Sequence, residues 1–216
     1  PADFYQNVTN PEQFNLKKAI VLEPTYVYIA WNNLRPFFSD KKVRWALSYA
    51  INRQDIIDKI LFSAAVPIQS AIFYKSKYLN DKLPAIPYDI EKAKQLLDEA
   101  GWKDSDGDGI RDKIIDGKKV DFKFTFMNNN NAKRKKIMLI IIEGFKQLGI
   151  QADLQEYEWS VWLDKTKKHE FDACYGSWQL NVTPEDPHQI WHSSQSQGEG
   201  SNYISYKNSE ADKLLE

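Results

Sequence analysis

Hydrophobic and polar positions alternate in a way that lays down strands and helices in turn. Thr25-Tyr26-Val27-Tyr28-Ile29-Ala30-Trp31 follows Pro24 and is dense in β-branched and aromatic residues, which predicts a strand. Val43, Ala46, Leu47, Ala50 and Ile51 then fall at i, i+3, i+4, i+7 and i+8. That spacing draws one apolar helical face, with Lys41, Lys42, Arg44 and Ser48 turned outward. Ile56, Ile57, Ile60 and Leu61 repeat it in a second short helix. Ile90, Ala93, Leu97 and Ala100 mark a third, closed by Gly101 where a left-handed cap is favoured.

Further along, Val120 to Phe126 alternates with period two, the signature of a half-buried strand. Asn128 to Asn131 is a polar turn able to cap a helix whose apolar side carries Ile137, Ile141, Phe145 and Leu148. Gly149 ends that helix. Ile150 to Tyr157 returns as a strand, Trp159 to Thr166 as a helix and Phe171 to Tyr175 as another strand. Strand, helix, strand, helix, strand implies right-handed crossovers. The expected fold class is α/β, with a mixed, largely parallel sheet flanked by helices in one compact domain.

Composition narrows the function. Twenty-nine basic residues against 30 acidic ones leave a net charge of −1, which is not a nucleic-acid footprint. No apolar run reaches the roughly 20 residues of a membrane span. Cys174 is the single cysteine, so no internal disulfide forms, and it is expected to be a small buried hydrophobe. Enzyme signatures are missing: there is no G-x-S-x-G elbow and no phosphate-binding glycine loop. His188 and His192 share one helical face at the spacing of a zinc pair, yet no Glu follows His188, and they read as surface histidines. Lys133-Arg134-Lys135-Lys136 reads as the solvated start of a helix. Seven Trp, eleven Tyr and eleven Phe exceed what a core of this size demands, and suggest that some line a binding surface.

Three segments carry a family resemblance. Trp31-Asn32-Asn33-Leu34-Arg35-Pro36-Phe37-Phe38-Ser39-Asp40 runs into Val43-Arg44-Trp45-Ala46-Leu47-Ser48-Tyr49-Ala50-Ile51-Asn52-Arg53. Tyr88 to Trp102 follows as YDIEKAKQLLDEAGW. Phe171-Asp172-Ala173, Gly176-Ser177-Trp178 and Asp186-Pro187 come last, with one residue inserted between Gly176 and Trp178. In this order they resemble the family 5 extracellular solute-binding proteins, the receptors of oligopeptide, dipeptide and nickel ABC importers. The resemblance implies a type II periplasmic-binding-protein-like lobe. It also implies a periplasmic or lipoprotein-anchored location and an ABC permease as membrane partner.

It further implies a ligand site at the end of the last strand, where Tyr175, Ser177, Trp178 and Gln179 meet an extended peptide by main-chain pairing. Trp31, Asn32 and Asn202 join this ligand-binding set. The family's amine-binding Asp falls on Asn181, so either Glu185 or Asp186 takes over or the ligand lacks an amine anchor. Asp186 has a competing reading as a helix cap before Pro187. Loss of the anchor keeps an oligosaccharide receptor open, and a calcium-stabilised interaction module is the reading from another class. For the latter, Asp104, Asp106, Asp108 and Asp112 occupy positions one, three, five and nine of a calcium loop, with Gly109 at six. Ile115 stands where the closing carboxylate belongs, and a Gly/Asp turn explains the loop without metal. No other cofactor is implied. The expected organisation is a hinge-proximal segment over 1–24 and a ligand-binding lobe over 25–216, excised from a two-lobed receptor whose N-terminal lobe is the missing partner.

Overall fold

A computed structural model describes residues 23–73, 75–180, 186–198 and 200–216. The hinge-proximal segment, Pro24 and Glu23 apart, lies outside them, as do Asn181 and Glu185. Four strands make the main sheet: β1 (Thr25–Trp31), β4 (Lys123–Asn129), β5 (Gln151–Tyr157) and β6 (Ala173–Gln179), in the order β1-β6-β4-β5. β4 pairs in parallel with β5 and β6, while β1 closes the edge antiparallel to β6. β2 (Asp112–Ile115) and β3 (Lys118–Asp121) form a separate hairpin.

Helices cover both faces. α1 (Lys41–Tyr49) starts where the Asp40 carboxylate accepts the Lys42 N–H at 2.8 Å. α2 (Arg53–Lys59) and α3 (Ile90–Glu99) follow, capped by Asn52 and Asp89. α4 (Ala132–Lys146) crosses from β4 to β5, and α5 (Trp159–Lys167) from β5 to β6. α6 (His188–Trp191) and α7 (Ser209–Leu215) end the chain.

The strand pleat sends alternate residues into two cores. On the α1, α3 and α4 side, Trp31, Phe38, Trp102, Phe122, Phe124, Phe126 and Phe145 interlock with Leu47, Leu97 and Met138. Ring centroids there lie 4.5–6.4 Å apart. Each fully buried ring of this kind contributes roughly 2–3 kcal/mol. A smaller core on the opposite face holds Ala30, Met127, Trp162, Phe171 and Cys174 under Tyr28 and Tyr203. Burial raises the Cys174 thiol pKa well above its ordinary value, so it stays protonated, as expected of a small hydrophobe.

Among the boundaries that differ from the sequence expectation, three shape the sheet. The strand expected over Val120 to Phe126 breaks at Phe122, whose N–H donates to the Arg111 carbonyl and whose own carbonyl accepts from Gln151. β4 continues through Asn128 and Asn129, which had read as a turn. β6 runs four residues beyond Tyr175, because β1 pairs with it along its whole length.

Candidate ligand-binding site

The site is built on the far end of β6. The Leu180 N–H donates to the Pro24 carbonyl, and the Asn32 N–H to the Asp172 carbonyl. Hydrogen-bonded pairs alternate in an antiparallel ladder, so the even-numbered residues of β6 turn their peptide groups toward β1. The odd-numbered ones face β4, whose ladder with β6 stops at Met127 and Cys174. The peptide groups of Ser177 and Gln179 therefore project past β4 with no main-chain partner among the described residues. An extended chain can add there as a strand.

On the face of β6 that carries Trp178, aromatic rings gather. Trp178 stacks on Tyr28 at 6.4 Å and 14°, and on Tyr203 at 6.2 Å and 17°. Together with Tyr26, Ile68 and Trp191 they line a cavity of about 270 Å³ along β1. Burial raises the Tyr28 pKa far above the phenol range, with Cys174, Tyr26 and Tyr203 adding to the effect, so its hydroxyl stays neutral.

The opposite face holds the charge. The Arg134 guanidinium donates to Asn129 Oδ1 at 2.7 Å and Ser177 Oγ at 3.0 Å. It lies 5.5 Å from the Tyr175 ring centroid, within cation–π range. Burial pushes the Tyr175 phenol up to about 12, against the opposing pull of Arg134.

Of the residues assigned from sequence, Ser177, Trp178 and Gln179 come together at this strand end. Tyr175 backs them from inside the core at 3% exposure. Trp31 is packed among Phe38, Phe124, Phe126 and Phe145, which corrects its placement on a ligand surface. Asn32 is corrected likewise: fully buried, its amide donates to the carbonyls of His169 at 3.0 Å and Phe171 at 2.8 Å. Asn202, 1% exposed, donates to the carbonyls of His192 and Tyr206 and accepts the Tyr206 N–H, so its polar atoms brace a loop. Asp186 Oδ1 accepts the His188 N–H at 2.8 Å, a turn contact ahead of α6, whose N-cap is Pro187 rather than Asp186. His188 and His192 stack at 4.2 Å, and His192 Nε2 lies 4.0 Å from Asp212 of α7 and 3.7 Å from Glu216 just past its end. Tyr28, Tyr203 and Arg134 were not anticipated. The Tyr26-x-Tyr28 alternation was the available signal for the first, and the basic run at the head of a helix for the last.

In the acidic loop, carboxylate oxygens of Asp104, Asp106 and Asp108 lie within 4.8 Å of one another, all exposed. Asp112 is not in that group; it is buried and accepts from the Ser105 N–H and hydroxyl. Asp104 accepts the N–H groups of Gly107 and Gly109, closing the turn. The Lys119 ammonium bonds Asp106 and lies 3.7 Å from Asp112, so a side-chain cation already answers these carboxylates.

A mixed sheet flanked by helices, with one strand running past the ends of its parallel neighbours, is the fold of a type II periplasmic-binding-protein lobe. The chain belongs to the bacterial extracellular solute-binding proteins, family 5 Middle, which it matches over residues 2–201. It is 40% identical over 223 residues to the oligopeptide-binding protein AppA of Bacillus subtilis, covering 100% of this chain and 39% of that one. It is 30% identical to the heme-binding protein A of Haemophilus influenzae, covering 87% of this chain and 32% of that one. The structure of Bacillus subtilis AppA in complex with a nonapeptide superposes with a TM-score of 0.82 at 39% identity, over 99% of this chain and 42% of that chain. NikZ of Campylobacter jejuni, in complex with Ni(L-His), matches at 0.79 and 25% identity, over 89% and 38%. The chain thus spans about two fifths of the length of the relatives it matches.

Proposed function

We propose that this chain is one lobe of the substrate-binding component of an ABC importer that captures short peptides outside the cytoplasmic membrane. The carrying observation is the run of unpartnered peptide groups at Ser177 and Gln179. An extended peptide satisfies them by strand addition, which gives affinity with little dependence on ligand sequence. The cavity beside Trp178 then takes an apolar or aromatic side chain. A saccharide offers no matching row of amide donors and acceptors, which favours a peptide. In the full receptor a second lobe closes over the ligand by hinge motion, and the closed form docks on a membrane permease. The role is binding and delivery without catalysis, and a lipid anchor on the full-length protein suits it. The ligand's amine is met by Glu185 or Asp186, in place of the acid the family pattern puts at Asn181.

Native mass spectrometry on the gently purified full-length receptor tests this. A mixed population of short peptides released on denaturation is the expected result; a single sugar or porphyrin mass overturns it. Trp178→Ala is expected to weaken binding of the recovered ligand by about tenfold or more, since large rings at pocket centres dominate binding energy.

A further inference from the structure

The turn from α5 into β6 holds His169 with its backbone at φ 57°, a left-handed conformation that His and Asn adopt more readily than most residues. Its N–H donates to the Thr166 carbonyl at the end of α5, and its own carbonyl accepts the Asn32 amide at 3.0 Å. The half-buried ring reaches the loop that precedes α7. Nδ1 lies 2.8 Å from the Tyr203 carbonyl oxygen, and Nε2 lies 2.8 Å from the Ser196 carbonyl oxygen. Carbonyl oxygens only accept. A neutral imidazole has one N–H and turns a lone pair on the other carbonyl, whereas the imidazolium donates to both. The Ser205 hydroxyl, 3.1 Å from Nδ1, is the contact able to donate to the ring. Even then a bare Nδ1 faces the Tyr203 carbonyl with its lone pair.

The loop held by this ring is a wall of the aromatic cavity. Tyr203 stacks on Trp178 at 6.2 Å and 17°, and Ser201, Tyr203 and Ile204 line the cavity. Its other braces do not titrate: Asn33 donates to the Ile204 carbonyl from its N–H and its amide, and the Asn202 amide donates to the His192 and Tyr206 carbonyls. Among the described residues no carboxylate pairs with the His169 ring. On its own element Lys165, Lys167 and Lys168 oppose a charged ring, while Asp164, Glu170 and the negative end of α5 favour one. Lys168 is paired with Asp164 at 2.9 Å. At the start of β6 and after β1, Asp172 and Arg35 pair with each other at 3.0 Å. On the loop, the titratable groups are the Tyr203 phenol and His192, the latter beside Asp212 and Glu216.

We propose that His169 is a positioning residue of the ligand cavity: its imidazolium fastens the Tyr203 loop beside Trp178, so the receptor grips its ligand more tightly in acid and loosens as pH rises. The inference rests on the peptide reading above and deepens it by naming how that site is regulated. Both ring bonds exist only while both nitrogens carry hydrogen. The fastening is therefore complete at low pH and loses one bond on deprotonation. Linkage makes the effect reciprocal: a ligand side chain packed on Tyr203 and Trp178 favours the fastened loop, so binding takes up a proton.

The test uses the full-length receptor and calorimetry with alanine peptides of three to nine residues that carry one Phe, from about pH 5 to 8.5, a span that covers the ordinary imidazole range. The variant is His169→Asn, which tolerates left-handed backbone and does not titrate. It shares every other titration of receptor and peptide, so the difference between the two profiles belongs to the imidazole. Wild-type affinity is expected to fall about three- to tenfold more than the variant's over that span, the worth of one hydrogen bond. Heats in two buffers of unlike ionisation enthalpy are expected to show proton uptake on binding in the wild type and less in the variant. Parallel profiles, even with a variant that binds more weakly throughout, overturn the proposal and leave the peptide reading standing, as does equal proton uptake. If His169→Asn fails to fold, His169→Gln takes its place. If neither folds, wild-type uptake decides: a proton gained supports the fastening, and none overturns it. If no peptide binds the wild type at any pH, both readings fall together.

Discussion

Asn32 illustrates how one side chain is spent at the residue scale. Its amide closes off two buried carbonyls on the approach to β6, and its Oδ1 accepts the Leu34 N–H at 3.1 Å. Asn32→Ala removes the donor to the His169 carbonyl and leaves the Phe171 carbonyl only the Arg35 Nε–H, and is expected to cost about 1–3 kcal/mol in urea denaturation. From sequence, an Asn at the end of a strand looks the same whether it faces a ligand or a backbone. The polar residue type was legible; its partners, about 140 positions away in the chain, were not. Arg134 poses the converse problem. A basic run at a helix start usually means solvent, and only the chain folding Ser177 and Tyr175 up to it gives Arg134 a role.

At the scale of elements, α4 depends on one glycine. A Cβ at Gly144 would lie 2.3 Å from the carbonyl oxygen of Ala50, at the end of α1, and backbone cannot step aside. Alanine is the better helix former by about 1 kcal/mol. The overlap reverses that gain, and Gly144→Ala is expected to destabilise by about 1–3 kcal/mol, read as a lowered denaturant midpoint at unchanged slope. The helices themselves were readable from 3.6-residue periodicity, as α1, α3 and α4 show. The β2–β3 hairpin was not anticipated, although Asp116-Gly117 adopts positive φ at both positions, the turn chemistry such a dipeptide favours.

For the whole molecule, one sheet serves two cores, and the binding edge is an outcome of strand order. Closing β1 against β6 supports β6 past the end of β4 and leaves its β4-facing peptide groups open. This lobe supplies one wall of the proposed cleft. Peptide affinity of the isolated 216-residue chain is therefore expected to fall at least about 100-fold below that of the full-length receptor, measured side by side by calorimetry. Equal affinities would place the whole site within this lobe and count against closure by a second one.

By itself the sequence determined the α/β class, most element positions and the family, because periodicity, caps and ordered motifs are local features. It also pointed to Ser177, Trp178 and Gln179, since strand ends beyond a parallel sheet are where ligands bind. Tertiary structure alone decided which aromatics face the cavity and which fill the core, sending Trp31 inward and Tyr28 and Tyr203 toward Trp178. It also decided which edge of β6 stays open and, among the described residues, left Arg134 without an acid. These are pairings between distant segments, fixed by sheet order and register, and hydrophobic pattern along the chain carries no record of them.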